Sequence, residues 1–442
     1  MNKKIFVVFS ALLIAALMIG FTSVMADDVV ELGFWHSMDG VPGEITQKQV
    51  DLFNETVGAE KGIHVTTTFQ DWPGTDALVA AKTTDDVQNT PDIMQLYASG
   101  VSIVKDWERT VWIEDMLETE GTQISKADLI PNAVASYSMN DRMMGMPWSI
   151  STLMLYYNAD LLREAGYENP PATIAEMAEM CAAIVEKTDA DYGLNVRVDE
   201  YEFETMITNQ GPEGTYFGNA NGGHNGYMTE LGCEDQINAF LTEWEKVVAS
   251  GGYKATRDSI NEEFAQGLNA MVLMSSARIF TIKNLVEDSF EWGVAPVPTV
   301  SEEDAGGSAP SGSGLFLINR GNDEKIKAAW EFIQFMVSTD AQALWLDGYS
   351  YAPVNMNETE SEAYQAAIAA EPKLAVSYEI LTSTPASVLA SFCPASDTVN
   401  SIIKDTMISF GQGAISKDDA FTAIVDGING AFADYYRANP ID

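Results

Sequence analysis

Apolar and polar positions alternate in short runs from Val29 onward. Val29–Trp35 (VVELGFW) is a compact apolar run and predicts a buried strand. Across Pro42–Val57, the residues Ile45, Leu52, Phe53 and Val57 share one face at helical spacing. His64–Phe69 (HVTTTF) is β-branched and reads as a strand, Ala77–Thr83 as a helix, and Asp92–Ala98 (DIMQLYA) as a third strand. This βαβαβ opening predicts an α/β protein with a mainly parallel sheet covered by helices. Ligands of such sheets sit beyond the carboxyl ends of the strands. That places Trp35, His36 and Ser37, then Asp71 and Trp72, then Tyr97 and Ala98, on one rim.

The rhythm continues. Thr152–Tyr157 reads as a strand, and Asn158 starts a helix that ends at Gly166. After Pro170–Pro171, Thr173 caps a helix with Glu176 at the capping-box position. Phe264–Ser276 (FAQGLNAMVLMSS) predicts a helix end, a glycine turn, a buried strand and a polar tip. Glu302–Gly314 is the one long Gly/Ser/Pro stretch, leading into a short strand at Leu315–Ile318. Asn322–Ser338 is a helix with Ile326, Ala329, Trp330, Ile333 and Val337 on its buried face. The last helix starts at Ser416 with Asp419 as box partner and turns Phe421, Ile424, Val425, Ile428, Phe432 and Tyr435 inward.

Charge narrows the class of partner. The 442 residues carry 65 acids against 24 Lys and Arg, a formal net charge of −41. A nucleic-acid or anionic-lipid partner needs clustered cations and is excluded. The acidity also points to a salty habitat, where dense carboxylates keep a surface hydrated. With 46% apolar residues the chain still buries a large core, and its length predicts two domains or one two-lobed body. Lys3 and Lys4, the apolar run Ile5–Phe21 and the small-residue site Val24–Ala26 predict an export signal cleaved after Ala26. The expected location is the periplasm. Cys181, Cys233 and Cys393 allow at most one disulfide, and the simpler reading is three buried thiols.

Several chemistries lack their motifs. There is no GxxxxGK[ST] phosphate loop, no GxSxG elbow and no HExxH pair among His36, His64 and His224. Asp189-x-Asp191-x-Gly193 has only part of a calcium loop and reads as a solvated turn. No metal, cofactor or catalytic residue is expected. Two of the many carboxylates acting as a glycosidase pair remain an alternative, because their separation is three-dimensional.

Five blocks carry a family likeness. FWHSMDG (Phe34–Gly40), STLMLYYNADLLREAG (Ser151–Gly166), FAQGLNAMVLMSS, GSGLFLINRGNDEK (Gly312–Lys325) and WLDGYSYAPVN (Trp345–Asn355) resemble, in order, the family-1 extracellular solute-binding proteins of ABC importers. Within that family the likeness is to the glycerol-3-phosphate-binding and sugar-binding members. The resemblance implies a type II periplasmic-binding-protein fold, two α/β lobes joined by a hinge with solute held between them. Lobe one would comprise 27–148 and 296–355, and lobe two 149–295 and 356–442. The partners implied are a small-molecule solute (a carbohydrate, a polyol or a glycerol phosphate) and the importer's permease subunits, with the chain a monomer and not an enzyme.

The resemblance also implies site residues. Ser151, Ser275 or Ser276, Gly312 and Tyr351 match ligand-contacting positions of the glycerol-phosphate binders. Three other anchors differ: Ala98 follows Tyr97 where those binders carry Glu, no tyrosine matches near Asp71–Thr75, and Cys393 falls near their phosphate-facing Arg. Arg278, after the Ser275–Ser276 tip, is a candidate replacement. A sugar needs flat aromatic faces and fixed hydroxyl partners. Trp35, Trp72, Tyr97, Trp148, Tyr349 and Tyr351 fall in predicted loops or strand ends and offer the faces. Ser151, Thr152, Ser275, Ser276 and Ser313 offer hydroxyls, His36 a ring nitrogen, and Gly312–Gly314 close backbone approach. On this reading Trp148→Ala weakens solute binding with little loss of fold.

Overall fold

The computed structural model describes residues 29–71 and 75–441, with the side chains of 75–77 excepted. The export signal and Trp72 lie outside the described residues. Among them the strands are β1 (Val30–His36), β2 (Ile63–Phe69), β3 (Ile93–Tyr97), β4 (Thr110–Val111), β5 (Ser138–Met139), β6 (Arg142–Met143), β7 (Met146–Ser151), β8 (Leu153–Asn158), β9 (Tyr192–Asn195), β10 (Tyr253–Lys254), β11 (Asn269–Ser275), β12 (Trp292–Ala295) and β13 (Ser311–Ile318).

The opening βαβαβ forms as expected, but the sheet it starts is mixed and not mainly parallel, because β13 makes only antiparallel pairings. β1 pairs in parallel with β2 and β3, while β13 runs antiparallel to β3, β4 and β7, giving the order β2-β1-β3-β13-β4 with β7 also on β13. Alternation buries Leu32, Phe34 and His36 of β1 on one face. The helix Gly40–Glu55 covers that face with Ile45, Val50 and Phe53. Phe53 meets Phe332 and Phe335 of the helix Asp323–Met336 at centroid distances of 5.1 and 5.4 Å. Asn322 caps that helix by accepting from the amides of Glu324 and Lys325.

A second sheet, ordered β10-β9-β11-β8-β12, forms the other lobe, with β8 antiparallel to β11 and β12. Its helices keep their expected caps: Thr173 with Glu176, and Ser416 with Asp419. On the C-terminal helix Ile424, Ile428 and Phe432 are buried, whereas Phe421, Val425 and Tyr435 are half-buried. All three cysteines are free, buried thiols.

Two elements differ from expectation. Met146–Ser151 forms a strand, all six of whose residues are buried, so it shows no alternation to read. β13 begins at Ser311 and not at Leu315, because Gly312, Ser313 and Gly314 pair with β7 and β3.

The chain passes between sheets at Thr152 and between β12 and β13. Beyond Val354 it continues in helices and loops that pack on more than one core, Leu381 and Phe392 on the first and Leu374 and Ile380 beside the second sheet. Polar bonds tie these crossings together. Thr152 N–H donates to Ser276 Oγ (3.1 Å), and Ser276 N–H returns a bond to Thr152 O (2.8 Å). Ser350 Oγ donates to Ser276 O (2.9 Å), and Leu153 N–H donates to Ser308 Oγ (3.0 Å). The joint is thus held by neutral side chains that satisfy backbone groups which no ladder reaches.

Candidate functional site

Strand direction decides which residues meet. β1 and β3 are parallel, so His36 and Tyr97 end on the same rim. β13 is antiparallel to β3, so its opening Ser311–Gly314 lies on that rim too, with Ser313 opposite Tyr97. β7 is antiparallel to β13, which sets Ser149 opposite Ser313 and Ser151 opposite Ser311.

These residues form one hydrogen-bonded chain. Ser37 N–H donates to Gln95 Oε1 (2.9 Å), Gln95 Nε2 donates to Ser313 Oγ (2.9 Å), and the Ser313 and Ser149 hydroxyls are hydrogen-bonded to each other at 2.6 Å. Gln95, Ser149 and Ser313 are buried, and Tyr97 and Tyr349 are partly exposed. The Tyr97 phenol lies near Ser37 and Gln95, and that of Tyr351 near Ser149 and Tyr349. Burial pushes the Tyr97 phenol up to about 12, with the neighbouring Tyr349 adding to the effect. Burial raises Tyr351 as well. Both phenols therefore stay protonated and serve as donors across the physiological range. Beneath this layer Tyr137 Oη donates to Gly312 O (2.9 Å). Gly312 has φ +107°, and a Cβ there would collide with the Ser149 carbonyl oxygen.

Aromatic rings flank the network. Tyr349 and Tyr351 lie 4.8 Å apart, and Trp345 sits 4.9 Å from Tyr351. Trp345 in turn lies 5.4 Å from Trp148. Trp35 is half-buried against the first core. His36 is buried against Phe34 and Phe69, accepts from Met38 N–H, and is held neutral by burial.

Three sequence-selected residues lie elsewhere. Trp148 is in the middle of β7, 0% exposed, and packs edge-on to Phe34 (5.8 Å); it belongs to the first core and not to a loop facing the cleft. Thr152 and Ser276 are fully buried at the lobe crossing, where they bond to each other. Conversely, Ser37, Gln95 and Ser149 link the network and were not selected. Gln95 had a signal, a polar residue inside the apolar run IMQLY.

The facing lobe presents the end of β11. Ser275 is partly exposed; its Oγ accepts from Ala277 N–H, and its carbonyl accepts from Tyr156 Oη (2.8 Å). Tyr156 is fully buried and stacks on Trp292. Its phenol is raised by burial, lowered by Arg278 and raised by Tyr349, so it sits within electrostatic reach of both sides. Arg278 is exposed and makes no ion pair or hydrogen bond among the described residues. No cluster of three or more His, Cys, Asp or Glu residues suited to a metal occurs among the described residues.

Comparison with known proteins fits this architecture. The profile of the bacterial extracellular solute-binding proteins matches residues 48–372. The sn-glycerol-3-phosphate-binding periplasmic protein UgpB of Rhizobium meliloti is 26% identical over 349 residues, covering 75% of this chain and 76% of that one. The protein of the same name from Shigella dysenteriae is 24% identical over 343 residues, with 74% and 75% covered. Among solved structures, the sugar-binding protein MalE of Xanthomonas citri superposes with a TM-score of 0.76 at 19% identity, covering 93% of this chain and all of that one. UgpB of Mycobacterium tuberculosis in complex with glycerophosphocholine gives 0.73 at 19% identity, with 93% and 99% covered.

Proposed function

The chain belongs to the bacterial extracellular solute-binding protein family, and on that premise we propose that it captures a carbohydrate or polyol between its lobes and delivers it to the permease of an ABC importer. It acts by binding and leaves the solute chemically intact, as a monomer in the periplasm. The observation that carries this reading is the neutral network of Gln95, Tyr97, Ser149, Ser313, Tyr349 and Tyr351 on the lobe-one rim. Its hydroxyls and amide both donate and accept, as a polyol requires, and its paired tyrosine rings match the C–H face of a sugar. Ser275 and the backbone at Gly312–Gly314 complete the proposed site.

Capture proceeds by closure about the Thr152, Ser308 and Ser350 crossings. The solute shifts the equilibrium only so far as it binds the closed form better than the open one. A second reading, a glycerol phosphate or glycerophosphodiester, is favoured by Arg278, an unpaired guanidinium next to Ser275 that suits a phosphate oxygen. A thermal-shift panel of neutral sugars, polyols and glycerol phosphates tests both, since stabilisation follows RT ln(1 + [L]/Kd). Stabilisation by neutral polyols alone supports the first reading, and stabilisation by phosphates alone replaces it with the second. Turnover of a glycoside during the assay rules out both.

A further inference from the structure

Lobe one carries a surface groove of about 900 Å³ that shares no residue with the rim. Its floor is apolar: Leu52 and Val57 at the end of the first helical stretch, Ile124 from the following loop, and Phe335 of the helix Asp323–Met336. Its walls carry four carboxylates, Glu60, Asp128, Glu331 and Asp340. The sole cation among its lining residues, Lys61, is already paired to Glu331 at 2.7 Å.

A further buried carboxylate stands beside this wall. Glu358 is 1% exposed; its Oε1 accepts from Ser361 Oγ, while its Oε2 has no hydrogen-bond partner. Asp340 adds a repulsive charge to it. Among the described residues no cation but Lys61 lines the groove, and Lys61 is taken by Glu331. An apolar floor between unneutralised carboxylates is complementary to an amphipathic segment with cationic flanks. Glu60, Gln123 and Asp340 are exposed, so the groove is open and admits a peptide segment.

We propose that this groove docks a cationic amphipathic segment of a partner protein, with its apolar side chains on Leu52, Val57, Ile124 and Phe335 and its Lys or Arg groups against Glu60, Asp128 and Asp340. The site is independent of the solute and of the solute's identity.

The test uses the full chain and a fluorescent amphipathic peptide of leucine and lysine, with a leucine and glutamate peptide of the same pattern as the opposite-charge probe. Anisotropy is read at low and high salt. The lysine peptide is expected to bind, to weaken with salt, and to lose about tenfold or more in affinity in the double variant Glu60→Lys, Asp340→Lys. The control double variant Glu245→Lys, Asp426→Lys makes the same change in net charge on lobe two and is expected to bind as the natural chain does. Leu52→Asn, which leaves every carboxylate in place, is expected to weaken binding too. Equal loss in both double variants would reduce the effect to the general attraction of an acidic protein and overturn the proposal. So would equal binding by the groove variant, no binding of the lysine peptide, or self-association of the chain through this face in light scattering.

Discussion

Both lobes bury carboxylates, lobe one Asp92 held by Arg320 and Lys325 and lobe two a cluster, but they differ in the polar groups they gather. Lobe one gathers neutral hydroxyls and an amide on its rim, each bonded to the next, from Ser37 through Gln95 and Ser313 to Ser149. Lobe two buries carboxylates. Asp199 and Glu202 are paired with Arg197 and Arg257 at 2.8 Å, whereas Glu204 leans only on the amide and hydroxyl of Ser391. Neutral networks cost little to desolvate and do not titrate, so the proposed recognition surface is insensitive to pH. Buried acids titrate with stability, so the pH response of this molecule follows Glu200 and Glu204 of lobe two together with Glu358 beside the lobe-one groove.

The largest effects test the rigidity of the lobe-one rim. Gly312→Ala forces a Cβ onto the Ser149 carbonyl at a positive φ, and is expected to cost about 4 kcal/mol or more in urea unfolding. Gly267→Ala, on the turn before β11 in lobe two, has its nearest obstacle at 3.9 Å and should cost only about 1 kcal/mol. Similar costs would remove the contrast between the crowded lobe-one rim and an open turn of lobe two. Trp148→Ala, at a fully buried position, is expected to lose about 3–5 kcal/mol of stability, making it a folding lesion before it is a binding one.

Next comes the pH response. Burial raises Glu204 from the usual 4.5 to about 7. The folded state therefore holds this proton more tightly than the unfolded chain. The contribution of Glu204 to stability is complete below pH 4.5 and is lost as the pH rises through about 7. Glu200, raised by burial and by Glu204, moves in the same direction. Thermal unfolding of Glu204→Gln between these limits should lack most of the decline shown by the natural chain. An unaltered decline would place the response elsewhere.

Smaller effects concern the solute. Ser313→Ala removes a fully buried hydroxyl between Gln95 and Ser149, loosening the support of the partly exposed Tyr97 and Tyr349, and is expected to weaken solute binding by about 1–3 kcal/mol in calorimetry. Arg278→Gln should leave the binding of a neutral polyol within about twofold, while reducing that of a glycerol phosphate about tenfold. A tenfold loss for the neutral ligand would make the cation part of polyol recognition.

Much of the fold was legible because its signals are local. A compact apolar run marked β1, β-branched residues marked β2, capping boxes marked the helices beginning after Thr173 and Ser416, and one apolar face marked the helix Asp323–Met336. The buried strand Met146–Ser151 was not legible, because burial on both faces removes the alternation that identifies a strand. Trp148 was misplaced for that reason. Tyr97, Ser313, Tyr349 and Tyr351, chosen by position at element ends, lie together on the lobe-one rim, and their contact with solute is proposed. Gln95 and Ser149 were missed because they meet only where distant strands lie side by side: Ser313 of β13 is 218 residues from Gln95 and 164 from Ser149. Glu204 gave no signal either, since an acid on a helix reads as exposed until the Ser391 segment covers it.

The central claim is that two lobes close on a solute and release it unaltered. Small-angle scattering, recorded on the ligand-free protein before and after addition of whichever small molecule co-purifies with it, tests this most directly. The account predicts a smaller radius of gyration on addition, and recovery of the compound at its original mass. Superimposable profiles, or recovery of cleaved fragments, would contradict it.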